Sequence, residues 1–278
     1  MNFELRDISA RHPAARAGAT AALKPLNLSI RAGEHVAVIG PSGAGKTTLL
    51  QVLACSLPPF AGRLTLDGQA PWEMSRPNLQ RLRGKLFLAP QVPPLPPRQR
   101  VVTTVLAGRL PAMGLLASVR SLLYPDDIPA AYDALDRFDM AEKLFDRVDR
   151  LSGGERQRVG LARALLAPAK AWLIDEPLSA LDPTRSRQAV ATLLDGAKQR
   201  GVTLVTTLHQ VEVALAHFPR IIGLREGDLQ FDLPGTDVTQ VRLNKLYEQY
   251  ENELGGPAPV ATELTTATAP LPTVMHCR

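Results

Sequence analysis

Cysteine is scarce. The chain has two among 278 residues, Cys55 inside an apolar helical stretch and Cys277 one position from the C-terminus. Thiols so placed exclude a disulfide framework and a thiolate metal site, and a penultimate cysteine does not fit the prenylation pattern. Aromatics are few as well, at 5%, and the Lys and Arg residues are scattered, without the aromatic interleaving of a nucleic-acid surface. No apolar run approaches the roughly 18 residues that a membrane-spanning helix needs. The opening "MNFELRDISA" lacks the basic-then-apolar order of a secretory signal. The expectation is a soluble, cytosolic chain. With 45% apolar residues it can bury one sizeable core, or one core and a smaller subdomain. A net charge of +5 with scattered Arg and Lys reads first as a basic soluble surface, and second as attraction to nucleic acid or an anionic membrane.

Strand-like segments recur: "FELRDI" near the start, "LNLSI" from Leu26, "HVAVIG" from His35, "RLTLDG" from Arg63, "KLFLA" from Lys85, "AWLID" from Ala171, "TLVTTL" from Thr203 and "RIIGLREG" from Arg220. Several are short continuous apolar runs, as in strands buried on both faces. Helical stretches at Ser186–Arg200 and Gln210–His217 separate the later ones. That alternation predicts an α/β fold with a parallel sheet and crossover helices. From about residue 92 to 149 the pattern breaks into a proline cluster and short helical runs, which reads as an inserted helical subdomain. Residues 255–278 are rich in Pro, Thr and Ala without a periodic face, and the expectation is a disordered tail.

"GPSGAGKT", Gly40 to Thr47, matches G-x-x-x-x-G-K-[ST] between an apolar strand and a helix-forming run. The loop comprises Gly40, Pro41, Ser42, Gly43, Ala44 and Gly45. Its glycines let successive N–H groups curl around phosphate oxygens, and the helix start adds positive potential. Lys46 would reach the β- and γ-phosphates, and the Thr47 hydroxyl can ligate Mg²⁺. "AWLIDEP" places Asp175 and Glu176 just after a strand, at the edge where α/β sheets bind ligands. Asp175 would hold Mg²⁺ through water, and Glu176 would polarise the attacking water. His209 and Gln91 close their strands in the same manner. His209 is open to a structural as well as a functional reading, and a Gln at a strand end can touch water near Mg²⁺. A second phosphate-type helix start, "LSGGERQR" from Leu151, follows a hundred residues after the first.

The phosphate loop, Gln91, "LSGGERQR", "LIDEP", "SALD" and His209, in this order and spacing, resemble the nucleotide-binding domains of ABC transporters. The resemblance implies a P-loop NTPase core with an antiparallel β subdomain and an inserted α-helical subdomain at approximately 92–165, within an ATPase domain of residues 1–254. It implies ATP and Mg²⁺ as cofactors and a head-to-tail homodimer. In that dimer Ser152, Gly153 and Gly154 of one copy meet the γ-phosphate held by the Gly40–Thr48 loop of the other, so two phosphate sites serve two nucleotides. "SALD", Ser179 to Asp182, would cross the seam, His209 would contact the γ-phosphate, and Gln91 would hinge the helical segment that receives integral membrane permease subunits. Such domains stack adenine on an aromatic near the end of the first strand; here His12 is the best-placed ring.

The stretch "VLAGRLPAMGLLASVRSLLYPDDIPAAYDALDRFDMAEKLFDR" is similar to that of bacterial phosphonate-import ATPases, as are "RIIGLREGDLQFD" and "LNKLYEQY". Glu155 stands where that group more often has Gln, and Thr104 where Asn is common. The resemblance implies an ATPase subunit on the cytoplasmic face of the inner membrane, importing phosphonates or related phosphorus oxyanions, fed indirectly by a periplasmic binding protein and without a nucleic-acid partner. Other cargoes, for an amino acid or phosphate-type importer or a lipoprotein-releasing exporter, fit the same motifs. A soluble ABC ATPase gripping nucleic acid is the remaining alternative, against which stand the single domain and the lack of sustained heptads.

Overall fold

The computed structural model describes residues 1–12 and 20–248. Strands β1 (Phe3–Ala10), β2 (Leu23–Ile30) and β3 (His35–Ile39) lead into α1 (Lys46–Leu53), β4 (Ala61–Leu66), α2 (Arg76–Arg83) and β5 (Leu86–Ala89). Four helices follow: α3 (Val101–Leu106), α4 (Leu115–Leu123), α5 (Ile128–Asp136) and α6 (Gly153–Leu166). The chain then alternates through β6 (Ala171–Ile174), α7 (Pro183–Arg200), β7 (Thr203–Thr207), α8 (Val211–His217), β8 (Arg220–Arg225), β9 (Asp228–Pro234) and α9 (Gln240–Leu246). The tail expected at 255–278, with Cys277, lies outside the described residues.

Two sheets form. The larger has the order β5-β6-β7-β3-β8-β9, parallel except for β9 at its edge, and the smaller is the antiparallel set β2-β1-β4. Burial explains the difference. All four residues of β6 are buried, so it reads as one apolar run, whereas β1 begins with buried Phe3 and Leu5 alternating with exposed Glu4 and Arg6. Strand β2 starts at Leu23, ahead of the Leu26 that sequence patterning indicates. Its Pro25 is tolerated because β2 is an edge strand of its sheet.

The central strands send alternate residues to opposite sides. Val36, Val38, Leu173 and Val205 pack with α1 and the antiparallel sheet. Ala37, Ile39, Trp172 and Leu204 pack on the other side with Val101, Leu135, Val159 and Val190 of α3, α5, α6 and α7. Helix α1 is thus sandwiched between the sheets, which fixes the loop before it. Helix α7 shows its local signals plainly: the Asp182 carboxylate accepts from Thr184 and Arg185 N–H at 3.0 Å each, Pro183 opens the helix, and Gly201 at φ 61° closes it. Cys55 is buried and its thiol is pushed up to about 12 by that burial, partly opposed by Arg83, which keeps it protonated and inert. Among the described residues no helix is long and apolar enough to cross a membrane.

Candidate active site

The loop between β3 and α1 is shaped by two close approaches. A Cβ on Gly40, at φ 150°, would lie 2.0 Å from the Leu224 carbonyl oxygen, and one on Gly45, at φ 99°, would lie 2.5 Å from that of Ala22. Only glycine fits either position. Gly45 caps α1 without a side chain, and the first turn of the helix holds no acidic residue. No capping side chain or carboxylate of its own competes there with an anion, and the helix dipole lies behind. Lys46 is 5% exposed, and its ammonium folds back to donate to Gly40 O at 2.7 Å and Pro41 O at 3.1 Å. Pro41, Ala44 and Thr48 are buried, while Ser42 and Gly43 face outward. The loop is braced by Ala44 N–H donating to Pro41 O and Gly227 N–H donating to Ala44 O, each at 3.1 Å.

Asp175 and Glu176 follow β6, which is separated from β3 and its loop by β7 alone. Asp175 is 4% exposed and accepts from the Thr207 hydroxyl at 2.6 Å. Burial raises its pKa above the usual carboxylate range; hydrogen bonds from Thr207 and Thr47 and the charge of Lys46 pull the other way, and Glu176 adds to the rise. Glu176 occupies the left-handed region at φ 46°, rare for a side chain of its kind. Its N–H donates to Thr207 Oγ1 at 2.9 Å, and its carboxylate accepts from Gln91 Nε2 at 2.6 Å and meets His209 Nε2 through its other oxygen. Gln91, Glu176, His209 and the phosphate loop, which lie at the ends of β5, β6, β7 and β3, converge on one sheet edge.

Ser152 and Asp182 build a second focus on helix starts. Ser152 caps α6: its hydroxyl accepts from Glu155 N–H at 3.3 Å, and its own N–H donates to the Glu155 carboxylate at 2.7 Å. That last bond, more than any other, holds the Glu155 pKa low. Gly154 sits against the "SALD" segment, where a Cβ would be 2.8 Å from Ala180 O. Gln157, one turn on, lies with its amide 3.5 Å from Glu176 O and so bridges the two foci. A groove of about 780 Å³ opens between Gln91, Pro93, Gly153, Gln157 and Ser179.

His12 is exposed, two residues past β1, on the connection that returns at Ala22 beside Gly45. Sequence patterning passes over Thr207, which touches both acidic residues; its signal is a polar pair, Thr206 and Thr207, inside an otherwise apolar strand. It passes over Tyr247 too, whose hydroxyl accepts from Gly40 N–H at 3.1 Å. No local signal marks that residue.

Among the described residues no group of three or more His, Cys, Asp or Glu could hold a metal. The donor set is one hydroxyl, Thr47, and one buried carboxylate, Asp175, whose pKa burial raises. That sparse set fits Mg²⁺, which keeps waters and takes further oxygens from substrate phosphates.

A family model described as ABC transporter matches residues 23–179. The chain is 64% identical over 278 residues, the full length of both chains, to the phosphonates import ATP-binding protein PhnC of Polaromonas sp. (strain JS666). It is 62% identical over the same length to the phosphonates import ATP-binding protein PhnC 2 of Albidiferax ferrireducens. Among solved structures it is similar to the dimeric ATP-binding cassette MJ0796 in a post-hydrolysis state bound to ADP and Pi, with a TM-score of 0.72 and 27% identity over 84% of this chain and 98% of that one.

Proposed function

The chain belongs to the ABC transporter family, as an ATP-binding subunit, and from that premise we propose that it hydrolyses ATP to drive phosphonate import through a membrane permease. One observation carries the hydrolytic half: a bare helix start with a buried lysine lies beside a strained glutamate whose carboxylate is held between Gln91 and His209. The cargo half rests on full-length identity to phosphonate-import proteins.

The N–H groups at the end of the loop and the start of α1 bind the β- and γ-phosphates, and Lys46 turns from the Gly40 and Pro41 carbonyls to neutralise them. Thr47 and, through water, Asp175 would hold Mg²⁺, which would supply positive charge beside the phosphates. Glu176 orients a water whose oxygen attacks the γ-phosphorus; the bond to the bridging oxygen breaks, leaving ADP and phosphate, and Glu176 Oε2 takes the water's proton. His209 steadies Glu176 and reaches the γ-phosphate. Gln91 must leave Glu176 to admit that water, so its release links the reaction to movement of the segment 92–165, the surface for the permease.

The assembly is a head-to-tail homodimer on the cytoplasmic face of the membrane, where Ser152, Gly153 and Gly154 of one copy complete the site of the other and Asp182 lies at the seam. His12 stacks the adenine. A periplasmic binding protein supplies the cargo, and nucleic acid has no part.

The test pairs two measurements. Glu176→Gln should cut turnover by about 10³-fold while leaving ATP bound, in a dimer visible by light scattering; retained hydrolysis would overturn the role of Glu176. Deleting the gene should abolish growth on a phosphonate as sole phosphorus source. Loss of growth on another nutrient instead would reassign the cargo, and salt-sensitive binding of RNA or DNA would point to the nucleic-acid alternative.

A further inference from the structure

The phosphate loop is held from behind by the last described helix. Helix α9 is capped by Thr239, whose hydroxyl accepts from Arg242 N–H at 3.4 Å, and it buries Leu243 and Leu246 in the same apolar cluster as Ile39. Arg225 at the end of β8 donates to Lys245 O at 2.7 Å, pinning the C-terminal turn. The helix ends on Tyr247, 1% exposed, whose hydroxyl accepts from Gly40 N–H at 3.1 Å across 207 positions of sequence.

That hydrogen bond falls where the sheet stops providing. Strand β3 pairs with β7 as far as Val38↔Thr207 and with β8 as far as Ile39↔Gly223. Gly40 lies past the end of both ladders, and its buried N–H needs an acceptor that neither strand supplies. Two more constraints meet on the same residue. Leu224 O fills the space that a Cβ on Gly40 would need, and the Gly40 carbonyl accepts from Lys46 Nζ at 2.7 Å. Gly40 is therefore clamped at its N–H and its carbonyl, with no room for a side chain, and the N–H clamp comes from the far end of the chain.

We infer that Tyr247 is a positioning residue for nucleotide binding: its hydroxyl fixes the strand-end peptide from which the phosphate loop springs, so that the loop amides are aimed before the phosphates arrive. The inference rests on the ATP-binding function proposed above. A loop whose first peptide is free to turn must be ordered by the nucleotide itself, and that ordering is subtracted from affinity. The β-phosphate contacts are common to ATP and ADP, so both nucleotides should feel the loss equally. The chemical step, set by Glu176 and His209 at the neighbouring strand ends, should not.

The test uses the full chain and a fluorescent ATP or ADP analogue as probe. Tyr247→Phe, which removes one oxygen and keeps the packing, should raise Kd for both analogues about 5-fold and raise the KM for ATP with it. Its kcat at saturating ATP should stay within about 2-fold of wild type. Leu243→Ala, a cavity in the same helix, should lower the melting temperature yet leave Kd unchanged below its transition. The inference is overturned if Tyr247→Phe binds as wild type does, or if folded Leu243→Ala loses as much affinity as Tyr247→Phe. A wild-type chain that binds no ATP would overturn the proposed function itself, and this inference with it.

Discussion

Two helix starts in this molecule look alike in sequence and differ in what they offer an anion. Helix α1 follows a glycine that has no side chain to cap it, carries no acidic residue in its first turn, and has the Lys46 ammonium folded back on the loop before it. Helix α6 follows Ser152, and a reciprocal capping box with Glu155 already occupies the Ser152 hydroxyl and one first-turn N–H. The first is a bare positive end that can draw in a polyphosphate by itself. The second brings a carboxylate, and its donors are already partly satisfied. A helix N-terminus is thus an anion site only to the degree that its own side chains leave it uncapped.

The largest effect should come from emptying the bare end of its charge. Lys46→Ala is expected to lower nucleotide affinity or turnover by about 10³-fold, read by analogue binding and phosphate release. Loss of less than tenfold would mean that the amides alone form the site. Ser152→Arg sharpens the contrast from the other side, because monomer ATP binding should stay near wild type while hydrolysis falls by about 10²-fold as the dimer fails to close. Normal hydrolysis in that variant would break the cross-chain reading of α6.

A smaller effect is expected at Glu155. Glutamine there can still accept from Ser152 N–H but removes a negative charge from the end that is to meet the partner's γ-phosphate. Glu155→Gln in the Glu176→Gln background should tighten the ATP-bound dimer about 3-fold, measured by sedimentation. A weaker dimer would show that the carboxylate helps closure.

The smallest effect concerns stability at the bare end. Burial raises the Asp175 pKa above its unfolded value, so folding favours the protonated form. The favourable contribution is complete below the ordinary carboxylate range, about pH 4, and is lost as pH rises through the folded pKa. At neutral pH the ionised carboxylate is a cost. Asp175→Asn, without nucleotide, should therefore melt roughly 2–4 °C higher at pH 7 and lose that advantage as the pH is lowered toward 4. A lower melting point at pH 7 would mean that Thr47, Thr207 and Lys46 more than offset the burial.

Much of the site is legible along the chain because it is built from short contiguous pieces. The 40–47 loop needs its glycines and lysine in series. Asp175 and Glu176 are adjacent after an apolar run, and Gln91 and His209 close runs of the same kind. The start of α6 follows from Ser152, whereas α7 begins at Pro183, three residues before the stretch that patterning marks from Ser186. The edge strand β9 and helix α9 are less visible, since half-exposed elements mix polar and apolar residues without a continuous run.

By itself, then, the sequence determines which segments are strands buried on both faces, where helices begin, and which loop has the glycines to approach phosphate. These depend on neighbours a few positions apart. Only the tertiary structure decides that Gln91 and His209, 85 and 33 positions from Glu176, share its carboxylate, and that Tyr247 reaches Gly40. It also decides that Asp175 resists ionisation. The reason is physical: burial and hydrogen bonds between distant segments come from how the sheet edge and helices pack, and no stretch of chain carries them alone.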